Sequence, residues 1–164
     1  MTILRVPEQF NTIGEAVEGA NPRDTILVRN GKYREAVTVS KDGLRIIADG
    51  DHVMLDGSRR LETGVSLNEV SFVEIEGFTI KNFTSAAIQV TGGTGNQFVQ
   101  NRIGGLHELD GPTSGAETSF GINLQASSRN LVWRNRFQGV CAGVLIAGNS
   151  LANRVVENSI FDPG

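Results

Sequence analysis

Residues 130–137 read NLVWRNRF, and this stretch decides the fold because it is not unique. Asn96–Ile103 reads NQFVQNRI, and Asn153–Ile160 reads NRVVENSI. All three follow one pattern: Asn, two residues, an apolar residue, one residue, Asn, one residue, an apolar residue. A looser copy, VEIEGFTI at Val73–Ile80, fits with one extra residue. A second figure precedes each copy: GVSL at Gly64, AIQV at Ala87, GINL at Gly121 and GVLI at Gly143. Gly64 and Ala87 lie 23 residues apart, Gly121 and Gly143 lie 22 apart, and Ala87 to Gly121 is 34. The interval from Ala87 to Gly121 therefore carries an insertion of about a dozen residues beyond the repeat length.

Each unit holds short β-type runs split by Gly, Asn or Ser, and none holds a helix-length apolar period. A unit of this size with only short strands cannot bury its own apolar face, so it must stack on its neighbours. The consensus is not leucine-rich, which leaves a parallel β-helix of about six short coils: an all-β solenoid. The first half fits the same plan. Thr25–Val28, Val37–Val39, Leu44–Ile47 and Val53–Leu55 read as strands, with Asp42-Gly43, Asp49-Gly50 and Asp56-Gly57 as turns. Phe10, Ile13, Val17 and Ala20 fall at helical spacing. Thr12 with Glu15 forms a capping box, and Gly19 ends the helix. This short helix covers the open end of the stack, where an uncovered edge would invite another strand. The expectation is one domain over 1–164, with 1–24 as cap strand and helix and 104–120 as a loop insertion. The last coil is expected to be bare.

The 164 residues suit one domain; 39% are hydrophobic and 20% charged, the balance of a folded chain. A net charge of -3 argues against nucleic acid as partner, which requires a basic face. The longest apolar run, Val140–Ala147, is far too short to span a bilayer, so no membrane partner is expected. One cysteine excludes an internal disulfide framework and a thiolate zinc site. The N-terminus, MTILRVPEQF, lacks the pattern of a signal peptide. The 20 glycines fit a chain that turns often.

Phe10–Glu35, FNTIGEAVEGANPRDTILVRNGKYRE, resembles the opening of right-handed parallel β-helix proteins of the pectate-lyase-like superfamily. There a TIxxAV helix precedes a DTIxV strand and a GxYxE turn. Thr12-Ile13, Ala16-Val17, Asp24–Val28, Gly31, Tyr33 and Glu35 match. The later repeats are similar to the NosD-type, carbohydrate-binding and sugar-hydrolase branch. The resemblance covers nearly the whole chain and implies the fold and an extracellular or cell-surface setting. It does not select an activity, because this superfamily holds lyases, hydrolases, epimerases, adhesins and structural modules.

Strand alternation places Ser66, Gln89, Asn123 and Leu145 on the outside of one sheet. In the resembling enzymes such an exterior face carries the site. Calcium sites normally include carboxylates and glycoside hydrolysis needs two carboxyls, and this column has none. No catalytic residue, metal site or cofactor is therefore assigned. Asn101, Asn135 and Asn158 are read as an internal amide ladder, and Asn96, Asn130 and Asn153 as turn residues. Arg102, Arg134 and Arg136 fall on one outer face as a cationic patch that could grip acidic sugars, with Arg134 level with Glu157. The insertion adds His107, Glu108, Asp110 and Glu117, the best loop candidate for ligand binding, although their spacing matches no metal motif. TGGTG at Thr91–Gly95 lacks the lysine and helix of a phosphate loop and reads as a turn. His52 is expected to be exposed. Trp133 stands where Val99 and Val156 stand and is expected in the core, and Cys141 is expected to be buried.

Three functions remain open. The leading one is a non-catalytic β-helix scaffold or surface module that binds carbohydrate. The second is a structural subunit stacking on itself, through the bare C-terminal coil, into rods or fibres. The third is a lyase, hydrolase or epimerase acting on acidic glycans.

Overall fold

The computed structural model describes residues 1–104 and 119–161. Two strands and a helix open the chain: β1 (Ile3–Val6), α1 (Ile13–Gly19) and β2 (Thr25–Tyr33). Then come β3 (Val37–Val39), β4 (Arg45–Asp56) and β5 (Thr63–Asn68). The later coils each supply three strands: β6 (Glu74–Glu76), β7 (Thr79–Lys81) and β8 (Ala86–Thr91); β9 (Gln97–Val99), β10 (Arg102–Gly104) and β11 (Phe120–Gln125). They continue as β12 (Leu131–Trp133), β13 (Arg136–Gln138) and β14 (Ala142–Ala147), ending with β15 (Arg154–Val156) and β16 (Ser159–Phe161).

Every strand pairing among the described residues is parallel and joins one coil to the next. This is a parallel β-helix with three faces. The first face runs β4-β6-β9-β12-β15 and the second β4-β7-β10-β13-β16, with the long β4 bending through both. The third runs β3-β5-β8-β11-β14. Inward residues stack into columns, as in Ile26–Ile46–Ile75–Phe98–Val132 and Leu55–Ile80–Ile103–Phe137. All of these are buried. In the last coil the same columns end in Val155 and Ile160, both exposed.

Helix α1 forms where its apolar spacing predicts and buries Ile13, Ala16 and Val17 against β1, β2 and β3. Thr12 Oγ1 accepts the Glu15 N–H at 3.0 Å, and the Glu15 carboxylate accepts the Asn11 N–H. Glu35, the acid of the GxYxE figure, accepts the N–H groups of Ile13 and Gly14, both at 2.9 Å. At the other end Lys41 Nζ donates to the carbonyls of Val17 and Ala20. Among the described residues no helix is long and apolar enough to cross a membrane.

The asparagines form two ladders. In one, Asn101, Asn135 and Asn158 Oδ1 accept the backbone N–H of Phe78, Asn101 and Asn135, at 2.8–3.0 Å. Their Nδ2 groups donate to the carbonyls of Ile75, Phe98 and Val132. Asn96, Asn130 and Asn153 repeat the scheme, accepting from Val73, Asn96 and Asn130. This corrects their reading as turn residues: Asn96 and Asn130 are buried and tie coil to coil. At each ladder the backbone turns a corner, and the amide supplies bonds that the sheets cannot.

Two boundaries also differ from expectation. Asp49-Gly50 does not end a strand; β4 runs through it, pairing with β2 across an irregularity between Arg29 and Gly31. Asn30 Oδ1 bridges the irregularity by accepting the His52 N–H, and His52 is exposed as expected. Val73–Ile80 carries no extra residue. Glu74, Ile75 and Glu76 register with Gln97, Phe98 and Val99, and Thr79 and Ile80 with Arg102 and Ile103. Val73 and Phe78 occupy the asparagine positions.

Candidate functional site

The third face presents the outward column expected from alternation, extended by one residue: Thr38, Ser66, Gln89, Asn123 and Leu145. It holds no carboxylate. Asn123 Oδ1 is closed off from solvent and has no hydrogen-bond partner among the described residues, as is Ser119 Oγ just before the same strand. Among the described residues the Gln89 amide makes long contacts, at 3.4–3.5 Å, to its own strand. Beside this face the chain leaves through Gly104 and returns at Ser119. His107, Glu108, Asp110 and Glu117 lie between them, outside the described residues. Among the described residues no three His, Cys, Asp or Glu side chains stand together as a metal site.

The second face is cationic. Arg102 and Arg136 are register partners in adjacent coils, and Thr79 continues their column. Lys81 stands two residues along β7 from Thr79, level with Gly104 and Gln138. These residues line one shallow groove. Stacked strands lie about 4.8 Å apart, so the two arginines stand in one row at the coil spacing. The carboxylate nearest in register, Asp56, is turned to other partners. Its Oδ2 pairs with Lys32 Nζ at 3.0 Å, and its Oδ1 accepts from Ser58 N–H and Asn82 Nδ2. Burial raises the Asp56 carboxyl, but these donors outweigh it and hold it below the usual aspartate range. Arg136 lies over the Phe161 ring, 4.5 Å from its centre. No carboxylate partners Lys81, Arg102 or Arg136 among the described residues.

Residues 35–163 match the family described as the right handed beta helix region. The chain belongs to that family. This β-helix protein is also similar in fold to a pectin methylesterase solved in complex with hexasaccharide VII. The identity is 14% and the TM-score 0.52, with 90% of this chain and 66% of that chain covered. A second similar structure is pectin methylesterase PemA from Erwinia chrysanthemi, at 14% identity and TM-score 0.49, covering 84% of this chain and 55% of that one. The β-helix protein thus spans less than two thirds of the length of either structure. At such identities the likeness is one of fold. No curated protein matches the chain.

The β-helix separates residues that the sequence had grouped. Arg134 does not share the groove of Arg102 and Arg136. It occupies the corner between the first two faces with φ +55°, level with Glu157 as expected and with Gln100 in the preceding coil. Its Nε lies 2.6 Å from Glu157 Oε2, and its guanidinium lies 4.5 Å from the centre of the Trp133 ring. The Arg134 hydrogen bond holds the exposed Glu157 carboxyl below the usual range. Trp133 is not a core residue. It registers with Val99 and Val156 on the outside of the first face, and its indole N–H donates to Glu157 at 3.3 Å. The inward residue of that strand is Val132. Cys141 is exposed rather than buried, because it precedes β14 at a corner. TGGTG is a turn, as expected, with Gly92, Gly93 and Gly95 at φ near +70°.

Sequence reasoning missed Thr79, Lys81 and Gln138 in the cationic groove. The signal was present in VEIEGFTIK. Aligned with NQFVQNRIG without a gap, it places Lys81 beneath Gly104 and Thr79 beneath Arg102.

Proposed function

We propose that this β-helix is a non-catalytic surface module that holds an acidic polysaccharide along its second face. The row of Arg102 and Arg136, with Lys81 beside it and no carboxylate paired with it among the described residues, supports the reading. A polymer bearing one carboxylate on each sugar would meet the two guanidinium groups as successive charge-assisted, bidentate contacts. The carboxylate-free column of the third face supports the non-catalytic part, since general acid and nucleophile or base would both be missing there. Binding outside the cell or at its surface belongs to the same reading.

Polygalacturonate and its fully methyl-esterified form are the test ligands, followed by isothermal titration calorimetry. The acid form is expected to bind and the ester to bind far more weakly. Arg102→Glu combined with Arg136→Glu is expected to weaken the acid form by at least about tenfold, equivalent to about 1.4 kcal/mol. Equal binding of acid and ester, or no loss in the double variant, would overturn the proposal. Release of shorter or unsaturated fragments in the same incubations would replace it with the enzyme reading, in which His107, Glu108 and Asp110 would be tested next.

A second reading has its own observation. Val155, Ile160, Phe161 and Leu151 expose apolar surface together on the last coil. An end of this kind can pair with a second copy. On this reading the mass measured by light scattering rises with concentration, and Ile160→Lys abolishes the rise. A constant monomer mass removes it.

A further inference from the structure

A different groove crosses the corner that leads into the first face. Its volume is about 940 Å³, within the range of small-ligand sites. It crosses four consecutive rungs, from Arg23 before β2 to Gln97 on β9, a span of about 14 Å at the strand spacing. Phe72 stands at its lip. This residue is 67% exposed and holds φ +61°, a left-handed conformation uncommon for a bulky side chain. Its ring is seated on Gly95: a Cβ there would lie 2.8 Å from two ring carbons. Neighbouring corners share the left-handed backbone, with Arg23 at φ +72° and Arg129 at φ +58°. What distinguishes Phe72 is a large aromatic ring held over a glycine and left open to solvent.

Two of the polar pairs that line this groove are held in place. Arg45 Nε donates to Glu74 Oε2 at 2.8 Å, and Asp42 Oδ1 accepts the Ser71 N–H at 2.8 Å. Gln97, exposed on the next strand, adds an amide with two donors and an acceptor. Arg23 and Arg45 balance Asp42 and Glu74, so the groove carries no net formal charge. Glu76, two residues beyond Glu74, is half-buried. Burial raises its carboxyl above the usual range, and Glu74 adds to this.

We infer that this groove binds a neutral pyranosyl oligosaccharide, stacking one sugar ring on Phe72 and bonding its hydroxyls to Gln97, Glu74 and Arg45. The apolar face of a pyranose matches an aromatic plate, and its hydroxyls match a rim of fixed donors and acceptors. The charge balance separates this site from the cationic groove, which selects anions.

The probes are hexaoses of β-1,4-linked glucose, mannose and xylose, titrated at millimolar concentration into the full chain by calorimetry and saturation-transfer NMR. At least one is expected to bind. Phe72→Ala is expected to weaken it by at least about tenfold, and Phe72→Trp to retain it. Both variants should melt with the wild type, because the ring is exposed. The Arg102→Glu, Arg136→Glu variant is expected to bind the neutral sugar unchanged, so failure here and failure of the acidic-glycan reading are distinct results. Binding by none of the three hexaoses, or unchanged binding in Phe72→Ala, would overturn the inference.

Discussion

Asn135→Ala is expected to destabilise the β-helix by about 3 kcal/mol, and Asn158→Ala by only about 1 kcal/mol, although both remove the same side chain from the same ladder. Asn135 is buried in the middle of the stack. Its Oδ1 is the acceptor for the Asn101 N–H at 2.9 Å and also receives the Asn101 Nδ2 at 3.1 Å. Its own Nδ2 donates to Phe98 O at 2.8 Å and Asn158 Oδ1 at 3.1 Å. Truncation leaves the Asn101 N–H without an acceptor, and Asn101 is fully buried, so water does not replace the lost bond. Asn158 makes matching bonds one coil later, but it is half-exposed at the edge of the last coil, where water substitutes. At roughly 2–4 °C per kcal/mol for a chain of this size, the two melting temperatures should separate clearly. Equal losses would mean that burial does not set the strength of the ladder, and no loss in either would remove the ladder from the account of stability.

The ladders also explain which parts of the fold were legible in the sequence. The repeat length, the third-face column and the helix were readable because each rests on a pattern that has one reading. GVSL, AIQV, GINL and GVLI alternate, and only one phase buries Val65, Ile88 and Ile122. The first face was ambiguous because two adjacent positions are both apolar: Phe98-Val99, Val132-Trp133 and Val155-Val156. Reading Asn96, Asn130 and Asn153 as turn residues left the phase free, and Trp133 was assigned inward. Placing those asparagines inward settles it, since a strand that starts inward at Asn130 returns inward at Val132 and sends Trp133 out. The same step aligns Val73 and Phe78 with the asparagines and brings Lys81 into the cationic groove. Phe72 carried no such signal. Its ring is seated on Gly95, 23 residues away, a contact that local patterning does not encode. Arg134 left its expected neighbours for a comparable reason: the corner at φ +55° swings it toward Trp133 and Glu157.

Gly93→Ala is expected to cost about 3–5 kcal/mol, while Gly92→Ala, one residue earlier in the same TGGTG turn, costs about 1 kcal/mol. Both glycines hold left-handed backbone, at φ +68° and φ +72°, so both substitutions carry the conformational penalty of an L side chain there. They differ in what the new methyl would meet. At Gly92 it would lie 2.4 Å from the Glu69 carboxylate, the far end of an exposed side chain that can swing into solvent. At Gly93 it would lie 1.9 Å from the carbonyl oxygen of Val70. That oxygen cannot withdraw. Val70 is buried, and its carbonyl already accepts the Asn96 Nδ2 at 3.1 Å. Moving it would break the ladder at Asn96 as well as the contact between coils. Gly93 is held from the other side too, since its own carbonyl accepts Ser127 Oγ at 3.3 Å. Thermal melts of the two variants decide between a turn clamped by the stack and a loop free for a ligand. A Gly93→Ala protein as stable as Gly92→Ala would mean that the turn can lift from Val70. A much larger loss at Gly93 assigns these glycines to close packing between coils.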